Sequence, residues 1–132
     1  MLRTFATIAF VTLLGSLAPL SAQQAPSPVK RTIMQRSDIP GTNLELIYAT
    51  VEIGAGFKAG RHSHPGVVMF RVTEGDFWLA PDGQPEKVYH ASESGAIPDH
   101  AIHNEGASGD KPTKIDVVYA VEKGKPLASP AQ

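Results

Sequence analysis

Five histidines lie between residues 62 and 103, and the 132-residue chain has none elsewhere. Imidazole titrates near neutrality and ligates most transition metals, so chemistry would be sought in this stretch first. His62 and His64 are two apart. On an extended strand both rings leave the same face, with Cα atoms about 6.5–7 Å apart. Two rings so placed can converge on one ion at about 2.0–2.1 Å. A third ligand must then come from another strand, and His103, beyond Ile97-Pro98, is the candidate. A His-x-His pair alone is equally at home on a solvated strand edge. His100 has three readings: a fourth ligand, an acid–base group behind the ligands, or an exposed turn residue. His90, after Tyr89, reads as a surface or structural residue.

Other chemistries lack their residues. The chain has no cysteine, which excludes disulfides, thiolate metal sites and cysteine nucleophiles. It has no Gly-x-Ser-x-Gly elbow, phosphate loop or dinucleotide fingerprint. Glu45 and Glu52 are seven apart, hence on opposite faces of a strand. Twelve Lys+Arg face 13 Asp+Glu without a basic run, so the electrostatic footprint for nucleic acid is missing.

The elements that would carry the histidines read as strands. Ile115, Val117, Tyr119 and Val121 alternate with Asp116, Val118, Ala120 and Glu122. Leu44, Leu46 and Tyr48 repeat at the same period, and Val51 and Ile53 extend the run. Segments 67–73 and 76–80 flank Glu74-Gly75, which predicts a hairpin or a bulge. Pro81-Asp82-Gly83 is a turn, since Pro sets φ and Gly accepts positive φ. Alternation puts Phe77 and Trp78 on opposite faces, one of them exposed or at a subunit contact. No helical apolar stripe of ten residues occurs. The expected class is all-β, an antiparallel sandwich or barrel.

Two groups of landmarks resemble the cupin superfamily. Gly56-x5-His62-x-His64, with Gly75 eleven residues on, matches most of its first motif. Gly95-Ala96-Ile97-Pro98 followed by His103 is similar to the second. The likeness covers roughly residues 33–122 and is strongest to small single-domain cupins. It implies a double-stranded β-helix (jelly-roll) barrel with a metal site in its bowl. The family's glutamate falls at position 68, which is Val68 here, so the implied set shrinks to three neutral imidazoles. Where the second motif has Gly stands His100, which predicts positive φ there. Three bare imidazoles would leave the charge of a divalent ion uncompensated and favour anionic, chelating ligands. The resemblance then includes metal-dependent oxygenases. Val68 and Phe70 are expected as pocket wall.

The termini complete the organisation. Residues 1–22 carry one charge, Arg3, before an apolar stretch that closes on Leu20-Ser21-Ala22, as a secretory signal peptide does. The expected domains are the signal peptide (1–22), a flexible linker (23–30), the cupin domain (31–123) and a flexible tail (124–132). The expected location is periplasmic or secreted, with no stable membrane anchor after cleavage. The expected function is binding of a divalent transition metal (Zn, Mn, Fe, Ni or Cu) by His62, His64 and His103. Its use would be dioxygenase-like oxidoreduction or another small-molecule reaction. The competing reading is a non-catalytic module that binds a small molecule in a decayed, metal-free bowl. Pairing through edge strands into a homodimer, with segment 31–38 crossing to the partner, is the expected assembly.

Overall fold

The segment with the clearest alternation shows how the chain builds sheets. Ile115, Val117, Tyr119 and Val121 are buried, and the residues between them face outward. Each fully buried Val, Ile or Phe side chain contributes roughly 1.5–3 kcal/mol, so one face of such a strand has to find a covering layer. In the computed structural model, residues 28–131 are described. The expected signal peptide, and all of the expected linker before Pro28, lie outside them.

Ten strands follow one another: β1 (Val29–Asp38), β2 (Leu44–Ile53), β3 (His62–Ser63), β4 (Gly66–Glu74), β5 (Phe77–Pro81), β6 (Lys87–Tyr89), β7 (Ser94–Ile97), β8 (His103–Ala107), β9 (Thr113–Glu122) and β10 (Ser129–Pro130). No helix occurs among the described residues, so none is long and apolar enough to cross a membrane. The strands form two five-stranded antiparallel sheets, ordered β1-β2-β9-β4-β7 and β10-β3-β8-β5-β6. Their inner faces share one core, in which Ile47, Val72, Phe77 and Val121 are fully enclosed. The architecture is the all-β barrel expected from the alternation.

Several local expectations are corrected. Glu74-Gly75 is not a hairpin, because β4 and β5 belong to different sheets. The pairing of β4 with β9 slips between Val72 and Glu74, a bulge, and Gly75 (φ 72°) then turns the chain across. A Cβ on Gly75 would come within 2.5 Å of the Pro112 carbonyl oxygen, so only glycine fits. In β2 the buried face is Ile47, Ala49, Val51 and Ile53, and the Leu46, Tyr48 repeat faces outward. Trp78 is neither exposed nor free for a subunit: a bridge from Lys58 to Gly106 lays the preceding loop near it. Gly106 permits that crossing, since a Cβ there would meet the Phe57 carbonyl oxygen at 2.0 Å. Pairing begins at Val29, inside the expected linker, and β1 pairs with β2 of its own chain through Asp38. The tail from Gly124 is not free either, because Ser129 and Pro130 pair with Ser63 and His62.

Candidate metal centre

Two short strands of the second sheet bring the histidines together. β3 and β8 pair with His62 opposite His103. His64 lies two residues beyond His62, and Glu105 two beyond His103, so the period-two rule repeats on both strands. One ligand atom from each of His62, His64, His103 and Glu105 lies within 4.8 Å of the other three. The histidines are buried, at 8%, 4% and 0% exposure, while Glu105 keeps partial access.

The backbone decides which ring nitrogen faces inward. His62 Nδ1 sits 2.8 Å from the Gly60 carbonyl oxygen, His64 Nδ1 2.5 Å from that of Leu127, and His103 Nδ1 2.9 Å from that of Ala101. A carbonyl only accepts, so in each case Nδ1 carries the proton and donates it. Rings so tethered turn their Nε2 atoms inward, the arrangement that metal-binding histidines require. His103 Nε2 is buried with no hydrogen-bond partner. Such an orphan is rare and costly unless something else occupies the site. Three imidazole nitrogens and one carboxylate make a donor set that fits a divalent transition metal.

Electrostatics support the same assignment. Burial lowers the His64 pKa to about 4, against the raising effect of the Leu127 carbonyl, so the ring is neutral at pH 7. Glu105 stays ionised: the neighbouring His103, His62 and His64 lower its pKa, although burial alone acts to raise it. For His103 burial is the largest single influence and lowers the pKa, but Glu105 and the Ala101 carbonyl together raise it. The Glu105 contacts, 3.5 Å to His103 Nε2 and 3.7 Å to His62 Nε2, are ion-pair distances rather than good hydrogen bonds. That spacing leaves His103 Nε2 unsatisfied and the carboxylate close to all three rings.

No protein-family model matches the chain, and no curated protein matches it in sequence. Solved structures do. The DMSP lyase DddQ of Ruegeria pomeroyi superposes with a TM-score of 0.60 at 17% identity over 68% of this chain. The chain spans 44% of that lyase. A cupin-like protein of Thermotoga maritima gives 0.62 at 20% identity, covering 78% of this chain and 75% of the other. An RmlC-like cupin of Shewanella frigidimarina gives 0.59 at 23%, covering 74% and 79%. The chain has the cupin fold.

Within the cupin bowl the expected residues separate into two groups. His62, His64 and His103 meet, while Val68 and Phe70 line a small inner cavity beside His64 and Glu105. His100 is not part of the cluster. Its side chain is 60% exposed, with Nδ1 2.5 Å from Asp99, and its φ of 55° matches the turn expected there. It reaches the site only through its backbone N–H, which donates to the His64 carbonyl oxygen at 3.2 Å. His90 is exposed and pairs with Asp76 at 2.8 Å. The three-imidazole set implied by the resemblance is corrected by Glu105. Val68 lines the same inner cavity as Glu105, and the carboxylate comes from β8. The His103-x-Glu105 spacing was the signal, since it copies His62-x-His64.

A larger cavity of about 290 Å³ opens beside the cluster. His62 and Glu105 form part of its wall, and Val51, Ile53, Phe57 and Ile115 supply apolar surface. Its size is at the small end of ligand pockets, which run from about 300 to 1,000 Å³.

Proposed function

We propose that this protein binds one divalent transition metal through His62, His64, His103 and Glu105 and acts on a small organic molecule held in the adjoining cavity. The observation that carries the reading is the set of three Nδ1–H donors tied to carbonyls, which leaves three buried Nε2 atoms gathered about one carboxylate. What a bound ion supplies here is Lewis acidity toward an oxygen ligand. The chain's own part is to orient the three imidazoles through their Nδ1–H bonds, to lower the net charge at the site by one through Glu105, and to exclude bulk water with Val68, Phe70 and Ile115. The reason for expecting a decayed site was a missing carboxylate, and Glu105 removes it. The reaction belongs to the small-molecule class, with dioxygenase-like oxidoreduction as one member. Lyase chemistry is a second, because two structures of similar fold are DMSP lyases. We propose further that residues 1–22, one charge followed by an apolar stretch, act as a secretory leader that carries this activity outside the cytoplasm.

Metal content and affinity test the reading, on protein purified without a histidine tag. One ion per chain is expected when zinc, manganese, iron, nickel and copper are offered in turn. His103→Ala or Glu105→Gln should weaken binding by more than the roughly 10- to 100-fold that losing a partner behind a ligand costs. His100→Ala should change it little. Wild-type protein that stays empty under excess of every metal would end the proposal in favour of the metal-free binding module.

A further inference from the structure

The large cavity contains one cationic group, and it lies beyond the metal cluster. Val29 and Arg31, two apart on β1, both line the cavity, as alternation along a strand requires. Arg31 Nε donates to the Tyr119 hydroxyl oxygen at 3.2 Å, and its guanidinium carbon lies 5.5 Å from that ring's centroid. Tyr119 is 3% exposed, and its ring centroid is 5.7 Å from that of His64. A single tyrosine therefore spans the distance between the cluster and the guanidinium. Among the described residues no carboxylate pairs with Arg31. One of its five donors is engaged, and because Nε donates to the tyrosine oxygen, the Tyr119 hydroxyl proton is free to donate in turn.

We propose that the cavity selects a small carboxylate with a short apolar stem, which Arg31 and the Tyr119 hydroxyl hold by its anionic end while its other end faces Glu105 and His62. A planar guanidinium with free N–H groups matches a carboxylate, and Arg31, exposed on β1, offers that fork at the cavity wall. Val51, Ile53 and Phe57 offer those walls to the stem. A cationic ligand is disfavoured by Arg31, and a bare inorganic anion makes no use of the walls. The proposal rests on the cavity's being the substrate site of the metal-dependent reading above, but the Arg31 contact itself needs no metal.

Calorimetric titration of the full chain tests it, with pentanoate, pentanamide, acetate and inorganic phosphate as probes, on metal-loaded and metal-free protein. Pentanoate should bind at least about tenfold more tightly than pentanamide and than acetate in both forms. Arg31→Gln should abolish the preference over the amide, and Arg31→Lys, which keeps the charge without the fork, should retain part of it. Equal binding of pentanoate and pentanamide by wild-type protein overturns the proposal and needs no variant. Acetate or phosphate binding as tightly as pentanoate reduces the site to an anion patch and also overturns it. Pentanoate binding that is unchanged in Arg31→Gln and lost on metal removal assigns the carboxylate to the ion, which overturns the Arg31 role and leaves the metal reading standing. A chain that takes up no metal yet keeps an Arg31-dependent preference shows the reverse.

Discussion

His64 makes the stability of the site depend on pH. Its folded pKa of about 4 lies below the ordinary 6.5, so between those values the unfolded chain takes up a proton that the folded chain refuses. The contribution is fully present above about pH 6.5 and is lost as the pH falls toward 4, by up to about 3 kcal/mol. Glu105 adds to the loss below its ordinary 4.5, because its lowered pKa stabilises the fold only while the group is ionised. His103 acts in the opposite sense: its raised pKa stabilises the fold at low pH, and that contribution fades as the pH rises through it. It offsets part of the His64 effect. Urea unfolding of metal-free protein should therefore show a midpoint that drops between pH 6.5 and 4.5. His64→Gln, which cannot titrate, should flatten that slope, and a flat wild-type profile would contradict the assignment of His64 as buried and neutral.

Among the elements, β10 matters more than its two residues suggest. It closes the edge of the second sheet against β3, and the Leu127 carbonyl just before it accepts the His64 Nδ1 proton. Ala128 and Pro130 also wall the cavity. A chain ending at Pro126 loses the acceptor that fixes the His64 tautomer, so its metal affinity should fall roughly 10- to 100-fold. Leu127→Ala removes the side chain but keeps the carbonyl and should bind metal nearly as the wild type does. Competition against a chelator of known affinity distinguishes the two, and equal binding by the truncated chain would show that β10 does not support the site.

At the scale of the molecule, the outer face of the first sheet carries an apolar patch. Register places Tyr48 and Met69 on either side of Val118, with Leu46 and Val67 in the next row, and all five are exposed. Contiguous exposed apolar surface usually marks an interface. Among the described strands, β1 stands at the end of the same sheet. Protein recovered from the exported fraction should begin near Gln23 and scatter light as a dimer, and Met69→Lys with Val118→Lys should return it to monomer. A wild-type monomer mass at every concentration would exclude the assembly.

Much of this was local, and what was local could be read from the chain. Period-two alternation at Ile115–Val121, the His62-x-His64 pair, positive φ at His100 and the Pro81-Asp82-Gly83 turn each depend on neighbours within a few residues. The choice of buried face in β2 was less legible, because both of its faces carry apolar residues and only the opposing layer decides between them. Three features of the site were decided by tertiary structure alone. Glu105 joins the cluster because β8 pairs with β3 in the register that sets His103 opposite His62. Leu127, 63 residues from His64, supplies a backbone acceptor that no side-chain pattern announces. Arg31 and Tyr119, 88 residues apart, meet only because β2 lies between β1 and β9 in one sheet. Alternation tells which way a side chain points, but the partner it meets is set by strand order and register, which a single strand's sequence does not contain.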